Sequence, residues 1–290
     1  MNTWQITGKT KLLGLLGSPV SHSLSPLMHN QACRLLGLDY VYLCFDVDTA
    51  DLPAAVEGLV RCGIRGFNLT MPDKNAVLPL LDIVTPAARL IGAVNTVVYE
   101  DGKLYGHNTD GTGFLHALSE SGTDIRDRDV VLLGAGGAAS AIAAQSALDG
   151  AASMRIFLRP ASGYAEKARQ LADSLNSSTS CHVAVMDITD SELLRNNIRA
   201  SSVLINATPV GMAPETDACL IPDPSWLHPD LTVSDIIYHP QETTLLAMAR
   251  SAGCRICPGL GMLLWQGAEA FRLWTGHEMP VEKIRKLLFP

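Results

Sequence analysis

Long apolar runs and clusters of like charge are both missing from this sequence. No run reaches the about 18 apolar residues of a membrane-spanning helix, and the first residues, MNTWQITGKTK, lack the apolar core of a signal peptide. The net charge is −7 and no run of Lys or Arg occurs, so neither nucleic acid nor an anionic membrane is an expected partner. We therefore expect a cytoplasmic protein.

The cysteine pattern argues against a disulfide framework, because the seven cysteines are scattered and odd in number. Cys254 and Cys257 form a C-x-x-C pair, but the pair lies at a predicted strand, residues 255–257, and does not open a helix. We interpret both as buried structural cysteines rather than a redox or zinc pair. No histidine spacing of the H-x-x-x-H kind occurs, and we predict no metal site.

Length and composition suit a globular protein of two domains. The chain has 290 residues, of which 47% are hydrophobic and 18% charged. Short apolar runs alternate with helical patterns, which predicts an α/β architecture with mainly parallel sheets. In the first half, the predicted strands are 11–17, 40–47, 64–69, 93–99 and 103–106, and the predicted helices are 26–36, 52–62, 72–81 and 113–121. Asp101-Gly102 indicates a hairpin turn between the last two strands.

The most informative stretch is DVVLLGAGGAASAIAAQSALDG, residues 129–150, which is typical of a strand, a tight turn and a helix. Gly134, Gly136 and Ala139 have the G-x-G-x-x-G/A spacing of a dinucleotide site. The first glycine permits the turn, the second leaves room for a pyrophosphate, and the small third residue allows helix and strand to pack closely. Packing alone also explains glycine-rich turns, but a second predicted strand at 154–158 favours the dinucleotide interpretation.

Three polar groups stand at the ends of predicted strands, where open α/β sheets place their sites. The first is Ser23 and Ser25, just before a helix start. Two hydroxyl groups and a helix N-terminus suit a carboxylate. Capping of the helix by Ser25 is the alternative explanation.

The second group is FNLTMPDK, with Asn68, Thr70 and Lys74 around Pro72. A lysine in the first turn of the predicted helix 72–81 is opposed by the helix dipole. Partial desolvation would act in the same direction and bring the lysine pKa toward working pH, which suits proton transfer. A solvated surface lysine is the alternative.

The third group supplies Asn95, from IGAVNTVV, and Asp110, from GHNTDGTG. Asp110 is also a candidate N-cap of the helix that follows. A carboxylate near Lys74 would favour the ammonium form, and together the two groups can pass a proton.

At this point the sequence resembles the shikimate dehydrogenases, and most closely their quinate/shikimate branch. The matching blocks follow the family order and span nearly the whole chain: GSPVSHSLSPLMHN, FNLTMPDK, IGAVNTVV, GHNTDGTG, LLGAGGAA, INATPVGM, DIIYHPQETTLL and GMLLWQGAEAFRLWTG. The resemblance implies reversible NAD(P)H-dependent reduction of 3-dehydroshikimate to shikimate, in the chorismate pathway to aromatic amino acids.

The resemblance also implies an organisation and a set of roles. Residues 1–110 with 259–290 would form the substrate domain and residues 111–258 a Rossmann-type cofactor domain, with a cleft between them. Lys74 and Asp110 match the family's catalytic pair. The positions matching substrate-binding residues are Ser23, Ser25, Thr70, Asn95, Tyr238 and Gln266. The positions matching cofactor-binding residues are Gly134, Ala135, Gly136, Gly137, Ala138, Arg159, Thr208 and Gly259.

The choice between NADP and NAD stays open in the sequence. NADP-dependent family members usually carry Asn-Arg-Ser/Thr after the second cofactor strand, whereas this chain has Leu158-Arg159-Pro160. Arg159 suits a 2′-phosphate. After the second cofactor strand the first acidic residue is Glu166, and none stands closer to bind a free 2′-hydroxyl, so NADP is slightly favoured.

Alternatives to shikimate dehydrogenase are an enzyme of quinate or another cyclic polyol acid, and a non-catalytic cofactor-binding module on the same fold. A monomer or homodimer is the family expectation.

Overall fold

The computed structural model describes residues 5–288, which form two compact units. The described part of the first unit covers residues 5–109 and 266–288, and the second unit covers Asp110–Trp265. The division thus assigns residues 259–265, which the sequence places with the substrate domain, to the second unit.

Strands and helices alternate through both units. The strands are β1 Lys11–Gly17, β2 Tyr40–Asp46, β3 Gly66–Leu69, β4 Ile83–Val84, β5 Thr96–Glu100, β6 Lys103–His107, β7 Asp129–Leu133, β8 Ser153–Leu158, β9 His182–Asp187, β10 Val203–Asn206, β11 Thr232–Asp235 and β12 Arg255–Pro258. The helices are α1 Ser25–Leu36, α2 Leu52–Arg61, α3 Pro86–Ile91, α4 Asp110–Glu120, α5 Gly137–Leu148, α6 Ala165–Ser178, α7 Ser191–Ala200, α8 Thr244–Ser251, α9 Gly259–Thr275 and α10 Val281–Leu288.

The first unit is built on a mixed six-stranded sheet with the order β2-β1-β3-β5-β6-β4. β1 pairs in parallel with β2 and β3, whereas β5 is antiparallel to β3 and to β6. The predicted hairpin is confirmed: Asp101 and Gly102 both have positive φ, 51° and 74°, as a tight two-residue turn requires. Residues of β1, β3 and β5, among them Leu16, Phe67 and Val97, form the core of this unit with α2.

The second unit has six strands, all parallel, in the order β12-β11-β10-β7-β8-β9. Numbered within the unit, this is the 3-2-1-4-5-6 order of dinucleotide-binding folds, and the strand order reverses between β7 and β10. Ligands bind such sheets at the carboxyl ends of the strands flanking that reversal. The prediction of an α/β protein with a Rossmann-type sheet is confirmed.

The predicted helix 72–81 is wrong. Residues 71–77 form successive turns, and only Leu78–Leu80 makes a short 3₁₀ helix. The carbonyl groups that a helix would use internally accept hydrogen bonds from other segments: Met71 O from Ser18 N at 3.1 Å, and Lys74 O from Val94 N at 2.8 Å. Contacts from sequence-distant segments therefore override the local pattern.

His29 lies in an aromatic cluster inside the first unit. Its ring stacks on Tyr42 with a centroid distance of 4.5 Å and is 5.2 Å from the ring of Trp274. It has no exposed surface, and neither ring nitrogen has a hydrogen-bond partner. Burial lowers the pKa of His29 to about 3, so the folded protein holds the neutral ring.

This burial predicts acid sensitivity. An unfolded His29 binds a proton below about pH 6.5, whereas the folded side chain does so only near pH 3. As the pH falls from about 6.5 to about 3, the unfolded state binds a proton that the folded state does not bind. The free energy of unfolding should therefore decrease by roughly 1 kcal/mol for each pH unit of acidification. Urea denaturation at several pH values measures the slope. His29→Phe, which keeps an aromatic ring, should flatten it, while His182→Phe at an exposed position on β9 should not; equal slopes in all three proteins would contradict this.

Candidate active site

The serine pair lies in the loop before α1. The helix begins at Ser25, and its cap residue is Leu24, which makes no side-chain capping bond. Ser25 is therefore not the N-cap that the sequence predicts. Instead, Ser23 Oγ accepts a hydrogen bond from Ser25 N at 3.2 Å. Both serines are partly exposed. The Ser23 oxygen accepts the bond within the loop, and its hydroxyl proton can still be donated to a ligand.

A chain of buried hydrogen bonds links Tyr42 of β2 to Asn95. The side chain of Ser25 lies close enough to the Tyr42 phenol to influence its pKa. Tyr42 Oη donates to Asn68 Oδ1 at 2.8 Å, and Asn68 Nδ2 donates to Asn95 O at 3.0 Å. Burial and nearby Cys44 raise the pKa of Tyr42, while Ser25 opposes the shift, so the phenol stays protonated and donates. These bonds connect Asn68, from the second predicted polar group, with Asn95 of the third, and they add Tyr42, which is not among the predicted site residues.

Asn95 is held rigidly. It is 2% exposed, its Oδ1 accepts from Thr109 N at 2.8 Å, and its Nδ2 donates to Thr109 Oγ1 at 3.0 Å. Thr109 is the last residue of the first unit, and Asp110 begins α4 in the second. Asp110 is 6% exposed and lies in the first turn of α4, so it is not a cap preceding the helix as predicted.

Lys74 lies in the turns that follow β3 and is partly buried. Its carbonyl bond to Val94 N places it beside the segment that carries Asn95, and Thr70 N donates to Leu16 O at 3.0 Å at the end of β1. The first unit therefore gathers Thr70, Lys74 and Asn95 on adjacent segments. The expected helix dipole at Lys74 is wrong, because no helix starts at Pro72.

The glycine turn after β7 shows which glycines the fold itself requires. Gly134 has φ +105°, and a Cβ there would lie 2.8 Å from Ala207 O, so both conformation and packing demand glycine. Ala139 is 1% exposed and packs beneath the turn. Gly136 and Gly137 have no such restriction, since a Cβ at either would meet no protein atom within 4 Å. The space before the α5 N-terminus is open, and the cap residue Gly136 makes no side-chain bond, so the helix N–H groups suit a pyrophosphate. Ala135 and Ala138 complete the predicted turn.

The loop after β8 carries Arg159. Its carbonyl accepts from Ser162 N at 2.9 Å, which closes a turn and leaves the Arg159 side chain exposed. Glu166, the first acidic residue after β8, is engaged within its own helix by Arg169 at 3.3 Å and Gln170 at 3.2 Å. Along the chain, the first charged residue after β8 is therefore Arg159.

Asp235, at the end of β11, accepts hydrogen bonds from the end of β10 and from the loop that follows β11. It has no exposed surface; Asn206 Nδ2 and Ile237 N donate to its Oδ1 at 3.1 Å, and Thr243 donates to its Oδ2 at 2.8 Å. Burial raises the pKa of Asp235, and these three donors oppose the shift. Sequence reasoning missed Asp235 and Asn206, although both are polar residues ending apolar strands, which is the signal to look for.

The predicted residues Thr208 and Tyr238 line one concavity of the second unit, together with Pro209, Met212 and Ile237. Thr208 Oγ1 donates to Asn206 Oδ1 at 2.7 Å and accepts from Val210 N at 3.2 Å, so its hydroxyl mainly shapes the loop. Tyr238 is 38% exposed.

The two remaining predicted residues lie on α9. Gly259 opens the helix, and a Cβ there would collide with Ile236 O, so close packing alone already requires glycine. Gln266 is partly buried on the same helix, and the adjacent Gly267 packs against Met28.

No helix within residues 5–288 has the length and apolar character needed to cross a membrane. In the same described range, His, Cys, Asp and Glu side chains nowhere gather in a group of three suited to a metal ion. Cys254 and Cys257 are both free thiols; Cys257 is buried, whereas Cys254 is partly exposed and donates to His228 O at 3.2 Å.

Comparison with known proteins gives a consistent result. The family model for the shikimate dehydrogenase substrate binding domain matches residues 15–97, and the model for the shikimate 5′-dehydrogenase C-terminal domain matches residues 259–289. Shikimate dehydrogenase (NADP+) of Listeria monocytogenes is 49% identical over 99% of this chain and 98% of its own.

Two solved structures extend the comparison. A shikimate 5-dehydrogenase from Listeria monocytogenes, in complex with shikimate and NAD, has a TM-score of 0.96 and 48% identity, covering 98% of each chain. Quinate dehydrogenase from Corynebacterium glutamicum, in complex with NAD, has a TM-score of 0.87 and 35% identity over 96% of this chain and 98% of that one.

The resemblance that the sequence blocks carry is thus confirmed, and so is the expectation of an NAD(P)-dependent oxidoreductase acting on a CH-OH group. The chain belongs to the shikimate dehydrogenase family.

Proposed function

We propose that this chain catalyses the reversible reduction of 3-dehydroshikimate to shikimate, with NADPH as the preferred reductant. The observation that carries the proposal is the 48% identity, over 98% of both chains, to a structure that holds shikimate and NAD. The polar groups gathered in the first unit support it, because hydroxyl and amide side chains suit a ring that carries hydroxyls and a carboxylate.

In the proposed mechanism, Ser23 and Ser25 bind the substrate carboxylate, and Thr70, Asn95 and Gln266 bind the ring hydroxyls. Lys74, as the ammonium ion, donates a proton to the ketone oxygen as negative charge develops there. In the oxidation direction the neutral amine removes the hydroxyl proton. The roles proposed for Asp110 and Tyr238 are to stabilise the ammonium form and to bind the carboxylate, respectively.

The second unit fits a dinucleotide, because Gly134, Gly136 and Ala139 leave the N-terminus of α5 open to a pyrophosphate. When bound, a nicotinamide would supply or accept the hydride. Ala135, Gly137 and Ala138 would hold the phosphates through their backbone, and Thr208 and Gly259 would contact the nicotinamide.

A spectrophotometric assay at 340 nm, with shikimate and quinate each tested against NADP and NAD, examines the proposal. We expect the highest kcat/KM with shikimate and NADP. A protein that binds the cofactor but oxidises neither acid would instead be a non-catalytic module. Quinate is the second candidate substrate, which the quinate dehydrogenase structure supports; a higher kcat/KM with quinate would favour that function.

Arg159 provides a prediction about cofactor choice. Its guanidinium suits the 2′-phosphate of NADP, and no other charged residue stands between β8 and α6. Arg159→Ala should raise KM for NADP at least about tenfold and leave KM for NAD nearly unchanged. Arg169→Ala, which removes an exposed arginine of α6, serves as the control. An equal effect on both cofactors would contradict the role.

A cytoplasmic location and a monomeric or homodimeric state remain predictions from the sequence. Size-exclusion chromatography with light scattering tests the second of these.

A further inference from the structure

Asp73 directly precedes Lys74, yet it is fully buried. Its Oδ1 accepts a hydrogen bond from Thr49 Oγ1 at 2.8 Å, whereas its Oδ2 is buried without a hydrogen-bond partner. Burying a carboxyl group with one oxygen unsatisfied is unfavourable. A buried carboxyl group that lowers stability in this way is expected to have a functional role. Because Asp73 lies directly before Lys74, that role is expected to concern Lys74.

The turn around Lys74 has no helix to hold it in place. Backbone hydrogen bonds attach it to neighbouring segments through Met71 O and Lys74 O, and Asp73 N donates to Thr70 O at 2.9 Å inside the turn. These bonds reach the segment after β1 and the segment before β5. The bond between Asp73 and Thr49 adds a side-chain attachment to a different segment, the loop after β2.

The loop that carries Thr49 is itself anchored in the fold. It leads into α2, which is anchored in the core by Leu52 and Val56, 1% and 4% exposed, and Asp51 N donates to Asp48 O at 2.9 Å to close the loop. β2 and β3 flank β1 on opposite sides in the sheet, so the Asp73 bond reaches across β1 to a second strand end. The turn is thereby held from two directions.

We propose that Asp73 is a positioning residue, which with Thr49 fixes the turn that carries Lys74 so that the amine is held where proton transfer requires it. The inference rests on the proposed function of Lys74. Positional errors of about 1 Å at a reacting group can lower a rate by about a hundredfold. A lost attachment in this turn should therefore appear in kcat rather than in substrate binding.

The test removes the donor rather than the buried acid. Thr49→Val is nearly isosteric and should lower kcat for 3-dehydroshikimate reduction about tenfold while KM stays within about twofold. Thr49→Ser restores the hydroxyl and should restore kcat.

Asp73→Asn keeps an oxygen acceptor for Thr49 and should keep kcat within about threefold. Asp73→Ala combined with Thr49→Val should be no slower than the slower single variant, since both remove one bond.

Thr10 offers a matched control in the same unit. Thr10 Oγ1 donates to Asp39 Oδ1 at 2.6 Å, which is another hydrogen bond between a threonine and an aspartate of two separate loops. Thr10→Val should leave kcat at the wild-type value, and thermal denaturation should show a smaller drop in Tm than for Thr49→Val, because the Thr10 bond is exposed whereas the Asp73 carboxyl is buried.

The outcomes separate the two proposals. A wild-type enzyme that does not reduce 3-dehydroshikimate would refute the proposed function. If the wild-type enzyme is active, unchanged kcat in Thr49→Val, or equal losses in Thr49→Val and Thr10→Val, would refute the positioning role. Thr49→Val decides the matter even if Asp73→Ala fails to fold.

Discussion

Replacing Lys74 by alanine should lower kcat at least about a hundredfold while KM for shikimate changes much less. The reason is that proton transfer to the ketone oxygen is needed in the transition state and not for binding the ground state. Steady-state kinetics at 340 nm in both directions measure the loss. Lys103→Ala, at an exposed lysine of the hairpin in the same unit, should behave like the wild type. Comparable kcat in Lys74→Ala and wild type would reject the proton-transfer role.

Asp110 extends this prediction, because the two groups are proposed to act as a pair. Asp110→Asn should also lower kcat, and the double variant should be barely slower than Lys74→Ala alone. Additive losses would mean that Asp110 acts independently of Lys74. Circular dichroism of each variant checks that α4, which Asp110 begins, still forms.

Trp274→Ala should lower the free energy of unfolding by about 3–5 kcal/mol. The indole is 1% exposed, its Nε1 donates to Val97 O at 2.9 Å, and a Cβ at Gly66 would collide with its ring. Truncation removes the packing and the indole's hydrogen bond to Val97 O. Urea denaturation followed by circular dichroism measures the change.

Trp274→Phe separates the two contributions, since it keeps most of the apolar contact and removes only the hydrogen bond. We expect a loss between those of the wild type and of Trp274→Ala. Tyr164→Ala, at a side chain that is 55% exposed, should change stability by less than about 0.5 kcal/mol. A loss below about 1 kcal/mol in Trp274→Ala would contradict the packing described above.

The second unit was largely predictable because its signals are local. A buried strand, Gly134 and an alanine-rich helix follow one another within residues 129–150, and the αL glycine is dictated by the turn itself. Helix α7 was missed, although Asp190 caps it by accepting from Leu193 N at 2.9 Å. Its ten residues are mostly polar and only Leu194 and Ile198 are buried, so the segment resembles a polar loop although its apolar residues share one face.

In the first unit, prediction from local sequence failed where contacts with distant segments determine the structure. Pro72 and the residues after it resemble a helix start, but Ser18 N donates to the carbonyl of Met71, just before Pro72, and Val94 N donates to that of Lys74. The polar chain through Tyr42 and Asn68 is equally hidden, because residues 26 positions apart in the sequence share one hydrogen bond. Blocks of family sequence predict the site residues, but only coordinates reveal the hydrogen bonds around them.

The burial of Cys257 described above is shared, fully or in part, by most cysteines of the chain and has a practical consequence for spectroscopy. Burial raises the pKa of Cys33 to about 12 and that of Cys181 to about 11, and it also raises the pKa of Cys44, Cys219, Cys254 and Cys257. Since the thiolate is the reactive form, these six react slowly with electrophiles at neutral pH. Cys62 is exposed at the C-terminal end of α2. A maleimide dye should therefore react first at Cys62 on the first unit, without any engineered cysteine.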